Sequence, residues 1–156
     1  MKNGLKTATF IIFVLVLFVF TETYTKNNSG KSLVFHGAYA FSSFKGQKAS
    51  AIYLTLMNTS NKSVIIKSLK SEVGKKLEIH EIINENNITK MKKINNFIIK
   101  GNETIFFQPG GTHIMVFGLN KELEDKETFE IDIQTDDLKK YKINVMVLDK
   151  KLRTLQ

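Results

Sequence analysis

The chain has 156 residues, 42% of them hydrophobic and 24% charged, with a single proline, which describes one globular domain and argues against long disordered tracts. Its formal charge of +8 comes from lysines scattered singly or in pairs among Glu and Asp, with no five-residue basic run, so it reads as a solvated surface and gives little ground for a nucleic-acid partner. Cysteine is absent, and this excludes disulfides, thiolate metal ligands and a cysteine nucleophile.

The N-terminal stretch stands apart. Lys2 and Lys6 precede an apolar run from Ala8 to Phe20, and polar residues follow. Thirteen residues are too few to span a bilayer, which needs about 20 apolar residues, whereas a positive start followed by a short apolar core is the pattern of a secretory signal. Residues 1–25 are therefore expected to be a signal peptide or membrane anchor. A lipid-modified cysteine is ruled out, and the A-x-A pattern of a cleavage site is missing; Thr21, Thr23 and Thr25 stand in its place. The working domain is expected over 26–156, in the periplasm, as a monomer with no membrane contact beyond that segment.

From there the pattern alternates with period two, the signature of half-buried strands. "SLVFHGAYAF" and "ASAIYLTLMN" are the first two predicted strands, then "SVIIKSLKS" and "KLEIHEII". The asparagine-rich "NENN" predicts a turn into "ITKMKKI". "NNFIIKGNETIFF" leads to the turn "QPGG" and the strand "THIMVFGL". The charged "NKELEDKE" is open to a short helix, and "TFEIDIQT" and "YKINVMVLD" close the chain. Short strands separated by Asn, Gly and Lys turns, with no long helical period, predict an all-β sandwich.

Chemistry enters with two His/Met pairs. A four-residue loop Asn84–Asn87 would pair Ile83 with Ile88 and set His80 opposite Met91, close enough for both side chains to reach one small ion. His113 and Met115, at i and i+2 of a strand, share a face about 6.6 Å apart. Thioether sulfur is soft and imidazole borderline, a set that suits Cu(I) and serves Mg²⁺ or Ca²⁺ badly. Methionine is not a usual zinc ligand, and a blue-copper centre needs the cysteine this chain lacks. Taken singly, Met91 or Met115 reads as core packing and a strand histidine as a hydrogen-bonded residue. Spacing alone leaves a metal site and plain packing both open. His36 lies far from the set in sequence, and Glu78 and Glu81, flanking His80, read as solvated strand-face charges able at most to orient an imidazole.

The run His80-x10-Met91-x21-His113-x-Met115, with "AIYLTLMNTS", "LEIHE", "QPGGTHIMVFGL" and "KETFEIDI" in order around it, resembles the periplasmic copper(I) chaperones known as PCuAC over roughly residues 33 to 148. The resemblance implies a cupredoxin-like Greek-key β-sandwich that binds one Cu(I) through His80, Met91, His113 and Met115 and is no enzyme. It implies delivery of copper to the copper centre of a haem–copper (cytochrome c) oxidase subunit, often alongside a Sco-type protein. Three features depart from that family. Ile82 stands where many members have a methionine, Tyr39 and Phe41 replace a tryptophan–arginine strand, and "DKKLRTLQ" has no His/Met-rich tail. Two rivals predict different behaviour. A metal-free extracellular adhesion or assembly domain would form no stoichiometric copper adduct. A metal-dependent enzyme would depend on His36, His80 and His113 together.

Overall fold

Alternation in the sequence becomes alternation in burial. In the computed structural model, which describes residues 32–86 and 88–155, the strand Lys140–Leu148 buries every second residue from Tyr141 to Val147, and Thr128–Thr135 does the same. The strands in chain order are β1 Leu33–Phe41, β2 Ala49–Asn58, β3 Val64–Lys70, β4 Gly74–Glu85, β5 Ile88–Lys93, β6 Phe97–Ile99, β7 Thr104–Phe107, β8 His113–Leu119, β9 Thr128–Thr135 and β10 Lys140–Leu148, followed by a 3₁₀ turn at Lys150–Leu155. The segment 1–25 read as a signal or anchor lies outside the described residues. Among the described residues no helix is long and apolar enough to cross a membrane.

All ten strands join one hydrogen-bonded network in the order β5-β4-β8-β2-β1-β10-β9-β3-β6, with β7 also on β2. Sequence neighbours are often not sheet neighbours, as a Greek-key arrangement requires. Every pair is antiparallel except β1 with β10. The inward side chains of nine strands share one apolar core, to which Ile52, Leu56, Ile99, Ile114, Ile131 and Val145 contribute fully buried side chains. The expected all-β, cupredoxin-like architecture is thus the observed one. β5, exposed along its whole length, takes no part in that core.

Four local details differ from the sequence reading. The β4–β5 hairpin is tighter than the four-residue loop: Asn84 and Glu85 continue β4 and pair with Thr89 and Ile88. Asn86 turns the chain at φ 53°, a left-handed conformation that asparagine tolerates better than most residues. His80 therefore faces Lys93, and Ile82 faces Met91. "NNFIIKGNETIFF" forms two strands, β6 on β3 and β7 on β2. "NKELEDKE" holds no helix; the buried Leu123 is tied by its backbone to Ser43, its carbonyl accepting from the Ser43 N–H (3.0 Å) and its N–H donating to the Ser43 hydroxyl (2.9 Å). β1 is interrupted by a register shift between His36 and Tyr39, with Gly37 at φ 59°, a conformation open to glycine at little cost.

Candidate metal centre

Sheet order puts the four residues on adjacent strands. β5, β4, β8 and β2 are consecutive neighbours, and His80 pairs directly with His113 across β4 and β8. Met115 lies between Glu78 of β4 and Ala51 of β2. Met91 is one step diagonal from His80, beside Ile82. The hairpin register differs from the expected one by two residues, an even number, so Met91 keeps its face. His80, Met91, His113 and Met115 all occupy the outer face of the sheet, opposite the apolar core.

On that face the two histidines are nonetheless buried, at 8% and 4% exposure for His80 and His113, while Met91 is 51% exposed. The rings lie 6.1 Å apart centre to centre. A metal–nitrogen bond of roughly 2 Å and about 1.1 Å from nitrogen to ring centre allow two imidazoles on one ion to be at most about 6.3 Å apart. The observed separation is within that reach. Met91, His113 and Met115 line a cavity of about 490 Å³ with Phe41, Ala51 and Tyr53. Tyr53 lies 6.4 Å from His113, ring centre to ring centre, and packs in turn against Tyr39 and Phe41, while Phe117 lies 5.8 Å from His80. These rings shield the imidazoles from water.

The turn "QPGG" acquires a purpose here. β2 pairs with β8 through Ile52 and with β7 from Leu54 onward, so the turn leaves the sheet at Tyr53. Gly110, at φ 75°, lets the chain double back, closed by the Gln108 N–H donating to Thr112 O at 2.8 Å. His113 Nδ1 then lies 3.0 Å from Gly111 O. A carbonyl only accepts, so Nδ1 carries the proton and Nε2 of the neutral ring keeps its lone pair.

His80 has a different neighbour. Its Nε2 lies 3.0 Å from the Glu78 carboxylate, which is also held by Lys93 at 2.7 Å and Lys76 at 3.2 Å. The Lys93 contact, then the His80 contact, lower the Glu78 pKa to about 2; partial burial opposes this and Lys76 adds to it. His80 Nδ1 is buried and meets no hydrogen-bond partner among the described residues. Such an orphaned nitrogen is unusual in a folded protein. Two imidazoles and two thioethers are a donor chemistry that suits a soft cation better than a hard one.

The structure thus gathers the four expected residues on one face. The cavity lining holds Met91, His113 and Met115 but not His80, which adjoins it through its pairing with His113; His36 is exposed on β1 opposite Thr55, away from all four. Among the described residues no three of His, Asp and Glu assemble as a metal-holding group, and His36 does not join His80 and His113. Glu78 is neither fully solvated nor idle, contrary to the bland reading. Its position two residues before His80 in a strand was the available signal, since i and i−2 share a face. The Gly111 carbonyl left no such trace.

This Greek-key sandwich has the architecture of the PCuAC class of β-domain. Two solved structures share this fold: a domain described as "Copper-bound PCuAC domain from PmoF2" (12% identity, TM-score 0.65, covering 76% of this chain and 94% of that one) and CuI-DR1885 from Deinococcus radiodurans (20% identity, TM-score 0.64, covering 80% and 83%). The family described as "Putative lipoprotein LpqE-like" matches residues 33–147. The chain belongs to this LpqE-like family, which is the PCuAC family, as its motif indicated. A relative from Rickettsia prowazekii (strain Madrid E), "Uncharacterized protein RP573", is 37% identical over 99 residues, 63% of this chain and 55% of its own length. The matches span about half the length of the curated relatives.

Proposed function

We propose that this protein is an exported carrier of Cu(I), without catalytic activity of its own, that holds one ion through His80, Met91, His113 and Met115. One observation carries the reading: two directly paired, buried histidines share an outer face with two methionines, and one of their ring nitrogens has no partner. Membership of the PCuAC family supports copper as the cargo, as do copper-bound relatives with the same fold. Uncharged donors hold Cu(I) without thiol chemistry and still release it to an acceptor offering thiolates, which bind the soft ion more strongly. The acceptor we propose is the copper centre of a haem–copper oxidase subunit, with a Sco-type protein as companion. Export is supported by the lipoprotein description of the family; the basic and apolar start of the chain agrees with it, although this sequence has no cysteine to carry a lipid.

Anaerobic titration with Cu(I) against a chromophoric chelator, followed by native mass spectrometry, tests the reading. The expected result is one ion per chain, lost when all four residues are replaced together. Absence of a stoichiometric adduct would sink it and leave a metal-free sandwich. Mixing the loaded protein with a copper-free oxidase subunit and following the metal tests the acceptor separately.

A further inference from the structure

We infer that Glu78 is a positioning residue that sets which nitrogen His80 offers to the ion, so that the proposed site takes Nδ1 from His80 and Nε2 from His113. The inference rests on the copper reading above and adds to it a role for a residue outside the four donors.

The argument is one of hydrogen-bond roles. An ionised carboxylate has acceptor oxygens only. Glu78 is held in that state by two ammonium groups, Lys93 at 2.7 Å and Lys76 at 3.2 Å from one oxygen. Its other oxygen lies 3.0 Å from His80 Nε2. In a neutral ring the nitrogen facing a carboxylate carries the proton and the other keeps the lone pair. Nδ1 is thus the nitrogen left to bind, and it is the one with no protein partner.

His113 is oriented the opposite way, with its Nδ1 committed to Gly111 O. The two rings are directly paired across β4 and β8, yet they are fixed by different devices, one a charged clamp and the other a backbone carbonyl. The carbonyl cannot be removed by substitution, whereas the clamp can. Glu78 sits two residues from His80 on the same strand face and opposite Met115. The clamp therefore belongs to the same rigid sheet as the donors and stays aligned without a ligand. Partners of this kind that hold a ligating histidine are worth roughly ten- to a hundredfold in metal affinity.

The test reads the metal-free protein first. Long-range ¹⁵N–¹H correlation spectra at mildly alkaline pH distinguish protonated from unprotonated ring nitrogens. Wild type is expected to show His80 protonated at Nε2 and His113 at Nδ1. In Glu78→Leu, His80 should shift towards the Nδ1-protonated form while His113 stays unchanged as an internal reference. Cu(I) affinity should fall about ten- to a hundredfold. Glu78→Gln, whose amide oxygen can still accept, is expected to retain most of the native tautomer and to lose less affinity; it also serves if the leucine variant folds poorly. A His80 protonated at Nδ1 in wild type, or unchanged in a folded Glu78→Leu, would overturn the inference. Should wild type show the expected tautomers but bind no Cu(I), the copper reading fails while the positioning of His80 by Glu78 stands.

Discussion

Consecutive residues of β8 enter two different worlds. Ile114 and Val116 point into the apolar core, while His113 and Met115 point to the outer face. Burial does not separate them, since His113 is nearly as enclosed as Ile114, at 4% against 1% exposure. What separates them is satisfaction. Ile114 and Val116 belong to the apolar core cluster, and their packing contributes to folding. The outer face buries imidazoles behind aromatic rings and leaves His80 Nδ1 with no partner, a feature that lowers stability. From His113 to Val116 the strand divides its labour by parity: Ile114 and Val116 hold the sandwich together, while His113 and Met115 leave the core for the outer face.

The sharpest way to break that division is to exchange the effects. Ile114→Ala should lower unfolding free energy by about 2–5 kcal/mol in urea denaturation, while the copper bound per folded molecule stays the same. His113→Ala should do the reverse. Its Cu(I) affinity is expected to drop about a hundredfold or more, near 3 kcal/mol, with a stability loss smaller than that of Ile114→Ala. Equal loss of stability and of copper in both variants would contradict the separation.

Next in size is the charged clamp. Lys93, then His80, hold the Glu78 carboxyl at about 2 in the folded protein, below its ordinary 4.5, so its contribution is fully present above pH 4.5 and fades as pH falls towards 2. Because its lysine partners are about half exposed, screening reduces the value to about 1–2 kcal/mol. Urea unfolding of metal-free wild type and Glu78→Gln should differ by that amount near neutrality, and the gap should close through this acid range. A gap that persists at the acid end would assign the effect to packing instead.

A smaller difference separates the two methionines. Met91 stands on the marginal hairpin strand, half exposed, whereas Met115 sits between β4 and β2. Met91→Leu should weaken Cu(I) by only about three- to tenfold, on the order of 1 kcal/mol, and speed its release to a competing chelator in stopped flow. Met115→Leu should weaken it more. Identical losses would remove the distinction between an exchangeable and a fixed thioether. The least effect is expected at His36. His36→Ala should change neither stability nor Cu(I) affinity by more than about 0.5 kcal/mol when titrated beside wild type.

Much of this was legible in the chain. β2 has the bounds of "ASAIYLTLMN" and β8 nearly those of "THIMVFGL", because a period of two is a property of the extended backbone itself. The hairpin register was read two residues off, since a polar stretch such as Asn84 and Glu85 serves equally as turn or as strand end when it faces solvent. "NKELEDKE" showed charge where a helix was open, but Leu123 alone, buried against Ser43, decided its path.

Local chemistry was therefore decided by sequence alone: the strands, the soft donors, the absence of thiols, and the shared face of His113 with Met115. Parity also protected Met91, because any even slip of the hairpin keeps it on the same sheet face as His80. Only the tertiary structure decided that β4 lies against β8, that His80 meets His113, and that Glu78 and Gly111 O orient the two rings. The physical reason is range. Alternation is enforced between adjacent residues, whereas the pairing of strands some thirty residues apart is chosen by which apolar faces together close a core.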